Sequence, residues 1–190
     1  MPKITNTEVY GLERAIRTAK YPKAVDLEKL DSELTPGIRA CLTCSVGEGH
    51  DNALNGIVVF FDLTFSVKAW VEAQRYHFLD FVSSQSTMHK AAFFKLDEQF
   101  NEYVDPAIAA RVRSLQEAYL ADKTNGNYLK LLYNLPAGFE YTAGMVTNYR
   151  QLKTIYKQRR NHRLPDWQVF CNWIESLPMS EIITGKEAEK

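Results

Sequence analysis

The segment Asn148 to Trp167, NYRQLKTIYKQRRNHRLPDW, concentrates the side chains best suited to holding an anion. Asn148 and Arg159 are eleven residues apart, about three turns of a helix, and so share a face. Arg150, Thr154 and Lys157 form a neighbouring polar stripe, with Leu152, Ile155 and Tyr156 as the apolar packing behind it. Guanidinium presents a planar fork to phosphate oxygens, so a fixed row of Asn, Thr and Arg suits a phosphorylated ligand. Arg150 and Arg159 lie nine residues apart, about two and a half turns, and cannot both face one ligand squarely. The alternative is a solvated basic face near a helix C-terminus, where cations also favour the helix dipole.

Cys41 and Cys44 form a C-x-x-C, which invites a redox or zinc reading. The surrounding IRACLTCSV alternates as a strand does, which sets the two sulfurs on opposite faces, and no second Cys pair completes a zinc site. Ordinary strand cysteines are the reading adopted, and three cysteines in all fit a reducing compartment.

The elements that must position these groups read as a mixed, helix-rich chain. TEVYGLERAIRTAKY suggests a short helix with a Thr cap. Strands are predicted over Ile38 to Val46 and Ile57 to Lys68, joined by a loop rich in Gly and polar residues. From Ala69 the pattern turns helical: AWVEAQRYHFLDFV, PAIAARVRSLQEAYLADK, NYLKLLYNL, the long FEYTAGMVTNYRQLKTIYKQRRN, and PDWQVFCNWIESL. The fold class expected is α+β, an antiparallel sheet packed against long helices. A single domain over residues 1–178 and a loose tail over 179–190 are expected.

Composition limits the function classes. Twenty-three basic residues balance 23 acidic ones in 190, so no global field draws the chain to nucleic acid or anionic lipid. The start has no apolar signal core, and GIVVFFDLTFSVKAWV is interrupted by Asp62 and Lys68 short of a membrane span. A cytoplasmic protein with no membrane partner is expected.

Two blocks of the chain resemble the flavin-dependent thymidylate synthases. LPAGFEYTAGMVTNYRQLKTIYKQRR is similar to their C-terminal motif, with Leu135-Pro136, then Asn148-x-Arg150-x-Leu152, then Arg159, and Trp167 near the family's Ala-Gln-Trp-Glu turn. GHDNALNGIVVFFDLTFSVKAWVEAQRYHF resembles the family's Gly-His loop, its buried strand and the helix bearing its Arg-His-Arg signature, here Arg75-Tyr76-His77. SSQSTMH stands where the family has its serine block. The two blocks keep the family's order and spacing over most of residues 8 to 175.

The resemblance implies an enzyme that binds FAD, reduces it with NADPH, and converts dUMP to dTMP with the one-carbon unit of methylenetetrahydrofolate. It also implies a homotetramer whose sites are shared between subunits. On that basis Arg159 holds and polarises the pyrimidine deoxynucleotide, and Ser86 lies beside the uracil. Glu72, standing for a family Gln, Arg75 and Ser84 complete the substrate set. His50, Asn52, Asn55, Arg75, Tyr76, His77, Arg150 and Thr154 make up the flavin set. Plainer roles stay open: Arg75 as a helix-surface arginine, His77 as a packed or solvated histidine, Ser86 as a helix cap. The chain departs from the family at Tyr76 for the central His, His77 for the second Arg, and Asp80 for the following Ser. Family phosphate arginines align with Met88 or His89 and with Leu132.

Three functions follow. The first is a divergent flavoenzyme transferring a one-carbon unit to C5 of a deoxyuridylate-type nucleotide. The second is a non-catalytic member that binds a nucleotide or flavin. The third is a nucleic-acid-binding module in which Tyr149, Tyr156 and Trp167 stack on bases, which the balanced charge and the paired blocks disfavour.

Overall fold

The computed structural model describes residues 1–186, in which four strands make one antiparallel sheet in the order β1-β2-β4-β3. These are β1 (Lys3–Tyr10), β2 (Val58–Ser66), β3 (Asp80–Ser84) and β4 (Glu140–Asn148). The helices are α1 (Leu12–Ala19), α2 (Pro36–Leu42), α3 (Val67–Ala73), α4 (Thr87–Lys90), α5 (Leu96–Gln99), α6 (Pro106–Ala121), α7 (Asn125–Tyr133), α8 (Tyr149–Arg159), α9 (Pro165–Glu175) and α10 (Glu181–Thr184). The α+β expectation is met, with α8 and α9 covering one face of the sheet.

Alternation makes β2 what it is. Val59, Phe61, Leu63 and Phe65 point into the core while Phe60 stays exposed. β4 answers in register, with Ala143, Met145 and Thr147 inward opposite Leu63, Phe61 and Val59. From the helical side Leu152, Ile155 and Tyr156 of α8 and Trp167, Phe170 and Ile174 of α9 fill the space, as the apolar row behind the polar stripe predicts. Trp167 meets Phe65 at a centroid distance of 5.2 Å, and Phe61 meets Trp173 at 4.4 Å. Each such ring contributes roughly 1.5–3 kcal/mol by burial, so this layer fixes where α8 sits. A second cluster, Val112, Leu115, Leu131 and Phe139 among others, ties α6 and α7 to the end of the sheet.

Several elements differ from the sequence reading. Residues 3–10 are a strand, because a bulge between Thr5 and Glu8, with Asn6 at φ 52, breaks the alternation while Ile4 and Val9 still face the core. The predicted strand Ile38 to Val46 is instead α2 and the turn after it. Thr35 caps that helix by accepting from Ile38 N at 3.4 Å, Pro36 takes its first position, and the short alternating run never pairs. Cys41 lies in α2 and Cys44 just beyond it, so the two are not opposite faces of a strand. The long helix starting at Phe139 is two elements, β4 and α8, with Asn148 as the junction. The helix expected over AWVEAQRYHFLDFV ends at Ala73, and β3 pairs with β4. Arg75, Tyr76 and His77 therefore sit in the turn between α3 and β3 rather than on a helix. In the tail expected to be loose, α10 buries Ile182 and Ile183, and just before it Tyr149 Oη donates to Pro178 O at 2.6 Å. The last four residues of that tail lie outside the described residues.

Candidate functional site

Asn148 ends β4 in extended backbone and caps α8, its Oδ1 accepting from Gln151 N at 2.8 Å. Beside it Thr147 Oγ1 donates to Phe78 O at 2.6 Å, which pins the turn after Arg75-Tyr76-His77 against the start of α8. Two cavities open along this seam. One, of about 450 Å³, is lined by Arg75, Tyr76, His77, Phe78, Gln151, Thr154, Gln158 and Arg159. The other, of about 240 Å³, is lined by Val46, Gly47, Asp51, Asn55, Phe78, Asn148, Arg150, Gln151 and Thr154. Phe78, Gln151 and Thr154 belong to both, so the cavities adjoin along one helix face.

Arg159 sits in a dense arrangement. Its Nη1 donates to Glu72 Oε2 at 2.8 Å and its Nε to Tyr76 Oη at 2.7 Å, while the guanidinium carbon lies 4.8 Å from the Trp167 ring centroid. Tyr76 Oη in turn donates to Gln158 Oε1 at 3.0 Å. Glu72 Oε2 also accepts from Trp167 Nε1 at 3.2 Å and faces His162 Nε2 at 3.3 Å, and Oε1 faces Lys68 Nζ at 3.3 Å. Burial alone would push the Glu72 carboxyl up. The Lys68 and Trp167 hydrogen bonds and the charges of His162 and Arg159 outweigh it and hold the carboxyl below its usual range. The guanidinium keeps its charge but shares it with Glu72, which leaves Nη2 as its donor toward a ligand.

Arg150 is anchored differently. Its Nε donates to Asp51 Oδ1 at 3.1 Å, and Asp51 Oδ2 accepts from Lys153 Nζ at 2.9 Å. Lys153 and Asp51 are buried, and Lys153 also donates to Leu42 O at 2.8 Å. A buried pair of this kind costs more to break than to leave intact, so Asp51 fixes the direction in which Arg150 projects.

Of the residues singled out from the sequence, Arg75, Tyr76, His77, Thr154 and Arg159 meet in the larger cavity, and Asn55, Arg150 and Thr154 in the smaller. Arg150 and Arg159 serve separate cavities, as their spacing predicts. Glu72 stands behind Arg159 and lines neither. His50, before the short 3-10 helix Asn52–Gly56, and Asn52, at its start, are exposed and line neither cavity. Lys157, read as part of the Arg150 and Thr154 stripe, faces another hollow with Lys153 and Arg160. Ser84 and Ser86 are not brought to the arginines. Ser84 closes β3, and Ser86 caps α4, accepting from His89 N at 3.2 Å. That end is held to α7 by Tyr128 Oη, which donates to Met88 O at 2.7 Å. β3, which runs about 13 Å from Asp80 to Ser84 at 3.3 Å per residue, stands between it and Phe78.

Sequence reasoning missed Gln151, Gln158, Phe78 and Asp51. Gln151, Thr154 and Gln158 recur at helical spacing, a signal present in the chain, whereas nothing local marks Asp51 as the partner of residues about a hundred positions away. The aromatics offered for base stacking are not available. Tyr149, Tyr156 and Trp167 are all buried in the core, which removes the main support for the nucleic-acid reading. Burial pushes the Cys171 thiol up to about 12, so it is no nucleophile near neutral pH. Among the described residues no group of three His, Cys, Asp or Glu side chains is placed to hold a metal, and no helix is long and apolar enough to cross a membrane.

No family model matches the chain, and no curated protein matches it in sequence. Its fold does match solved structures. Thymidylate synthase X from Helicobacter pylori, with FAD and dUMP, superposes with a TM-score of 0.72 at 15% identity, covering 97% of both chains. A second structure of the flavin-dependent enzyme from that organism, also complexed with FAD and dUMP, gives 0.70 at 15% identity over 99% of this chain and 100% of that one. The chain therefore has the fold of the flavin-dependent thymidylate synthases over nearly all of its described residues.

Proposed function

We propose that this chain is a divergent flavoenzyme of the thymidylate synthase type, transferring a one-carbon unit to C5 of a deoxyuridylate-type nucleotide. The observation that carries the reading is the pair of adjoining cavities on α8, each with its own arginine from that helix, on a fold whose solved examples hold FAD and dUMP. The residues present fit both ligands. Arg150 spends only Nε on Asp51, so its terminal nitrogens suit flavin phosphate or a ring carbonyl, and the Phe78 ring and the Gln151 and Asn55 amides suit a flat heterocycle. Bound FAD, reduced by NADPH, supplies the hydride chemistry, with methylenetetrahydrofolate as the one-carbon donor.

The chain's part is placement and charge. Arg159, clamped by Glu72 and Tyr76, presents Nη2 to a pyrimidine carbonyl and stabilises negative charge developing there. Arg75 lies on the same wall, exposed, and suits the nucleotide phosphate. Ser84 and Ser86 complete the substrate set from a neighbouring subunit of a homotetramer, since within one chain they lie at the far end of β3. A second reading, a flavin- or nucleotide-binding protein without turnover, is favoured by one feature: Glu72 already neutralises Arg159.

The test is binding followed by turnover. The purified protein is expected to carry oxidised-flavin absorbance and to form dTMP from dUMP with FAD, NADPH and methylenetetrahydrofolate. Arg159→Ala should weaken dUMP binding by about 2–4 kcal/mol with flavin retained, and Arg150→Ala should lower flavin occupancy instead. Flavin and dUMP binding without product selects the second reading. Loss of affinity for single-stranded RNA in both variants, with no effect on flavin or dUMP, overturns both.

A further inference from the structure

The C-x-x-C changes character in the folded chain. A strand would turn its sulfurs apart, but Cys41 stands in the last turn of α2 and Cys44 just after the C-cap, Thr43. Cys44 N donates to Cys41 O at 3.4 Å, an i to i+3 bond of the 3-10 type, in which side chains three apart eclipse. Cα atoms so spaced in a helical turn are about 5 Å apart, inside the span of roughly 4.4–6.8 Å that a disulfide bridges. Both thiols are free and partly exposed, whereas Cys171 is buried. Cys44, unlike Cys41, lines the hollow of about 230 Å³ that Lys153, Lys157 and Arg160 share, and no carboxylate is among its lining residues. Asp51 already takes the charge of Lys153, so Lys157 and Arg160, both exposed, give the hollow its positive charge. The two cysteines also bracket Leu42, whose carbonyl accepts from Lys153 Nζ at 2.8 Å, and from Lys153 the contacts run through Asp51 to Arg150.

We propose that Cys44 and Cys41 are a redox pair, in which Cys44 takes an anionic low-molecular-weight disulfide at the basic hollow and Cys41 resolves the adduct. Cys44, as its thiolate, attacks one sulfur of that disulfide. The S–S bond breaks, and the first thiolate leaves and takes up a proton. The Cys41 thiol then gives up its proton and attacks the Cys44 sulfur, expelling the second thiol and leaving the Cys41–Cys44 disulfide. The cysteines lose two electrons and two protons, and the small disulfide gains both as two thiols. In a reducing compartment such a pair is transient, as a redox-sensing disulfide is. The ring closes around the Leu42 carbonyl that seats Lys153.

The intact protein is exposed to oxidised glutathione, alkylated and mapped by mass spectrometry. A Cys41–Cys44 cross-link that dithiothreitol reverses is expected, with Cys171 left as a thiol, and this measurement needs no variant to fold. Cys41→Ser should stop at a stable glutathione adduct on Cys44, and Cys44→Ser should take up no glutathione. Replacing Lys157 and Arg160 together by Gln should slow the reaction with oxidised glutathione by about tenfold at low salt, yet leave the rate with neutral hydroxyethyl disulfide unchanged. Cys41 and Cys44 both still alkylated after the exposure, an adduct on Cys41 in Cys44→Ser, or a charge variant that reacts with oxidised glutathione as fast as the parent overturns the proposal.

Discussion

The pairing of Glu72 with Arg159 decides how much positive charge the larger cavity offers a ligand. Glu72 gathers Lys68, Arg159, His162 and Trp167 around one carboxylate. Because its folded pKa is depressed, its stabilising contribution is present above the unfolded value and is lost as pH falls through the folded one. Protonated Glu72 resembles Gln. The stability gap between the parent chain and Glu72→Gln is therefore expected to be widest at about pH 7 and to close below about pH 4, in urea midpoints taken across that range. Glu72→Gln also frees Arg159 and restores the residue type of the resembled family, so it should tighten dUMP binding at neutral pH. A gap that stays constant into acid, or weaker dUMP binding, counts against the assigned role.

At the level of elements, the seam between β4 and α8 positions everything described at the two cavities. Removing the cap with Asn148→Ala should cost about 0.5–2 kcal/mol, read as a lower denaturant midpoint, and Asn148→Asp should restore most of it because either side chain accepts from Gln151 N. An unchanged midpoint in the Ala variant would show that packing alone holds the first turn. This junction also marks what the sequence made legible. The spacing of Leu152, Ile155 and Tyr156 identified the packed face of α8, and the alternation around Phe61 identified β2, because a one-sided burial pattern survives in the residue types. β4 was read as helix because its alternation runs through Gly144 and Thr147 directly into helical periodicity, with the break visible only as a capping Asn. β1 and β3 sit at the sheet edges, where half the backbone and most side chains face solvent, so no apolar pattern announces them. The arginines and Thr154 could be placed from spacing, but Asp51 and Glu72 act through long-range pairs that no local pattern encodes.

For the whole molecule, the distribution of the resembled blocks matters more than either block. Arg75, Arg150 and Arg159 lie toward the start of β3, and Ser84 and Ser86 at its other end, so the two groups do not meet within one chain. The proposed homotetramer would bring the arginine end of one subunit to the serine end of another, so that sites would be completed only between chains. Light scattering should then give four times the 21.8 kDa chain mass. Subunit mixing probes the site itself. Ser86→Gly removes the hydroxyl yet costs a helix cap only a few tenths of a kcal/mol, and Arg159→Ala removes the other half. Each variant alone should lose dTMP formation. Refolded together in equal amounts they should recover roughly a quarter of it, the share of sites that random pairing builds from two intact halves. A mixture as inactive as its components, at a protein concentration where both are tetrameric, would place Ser86 outside the site that Arg159 serves.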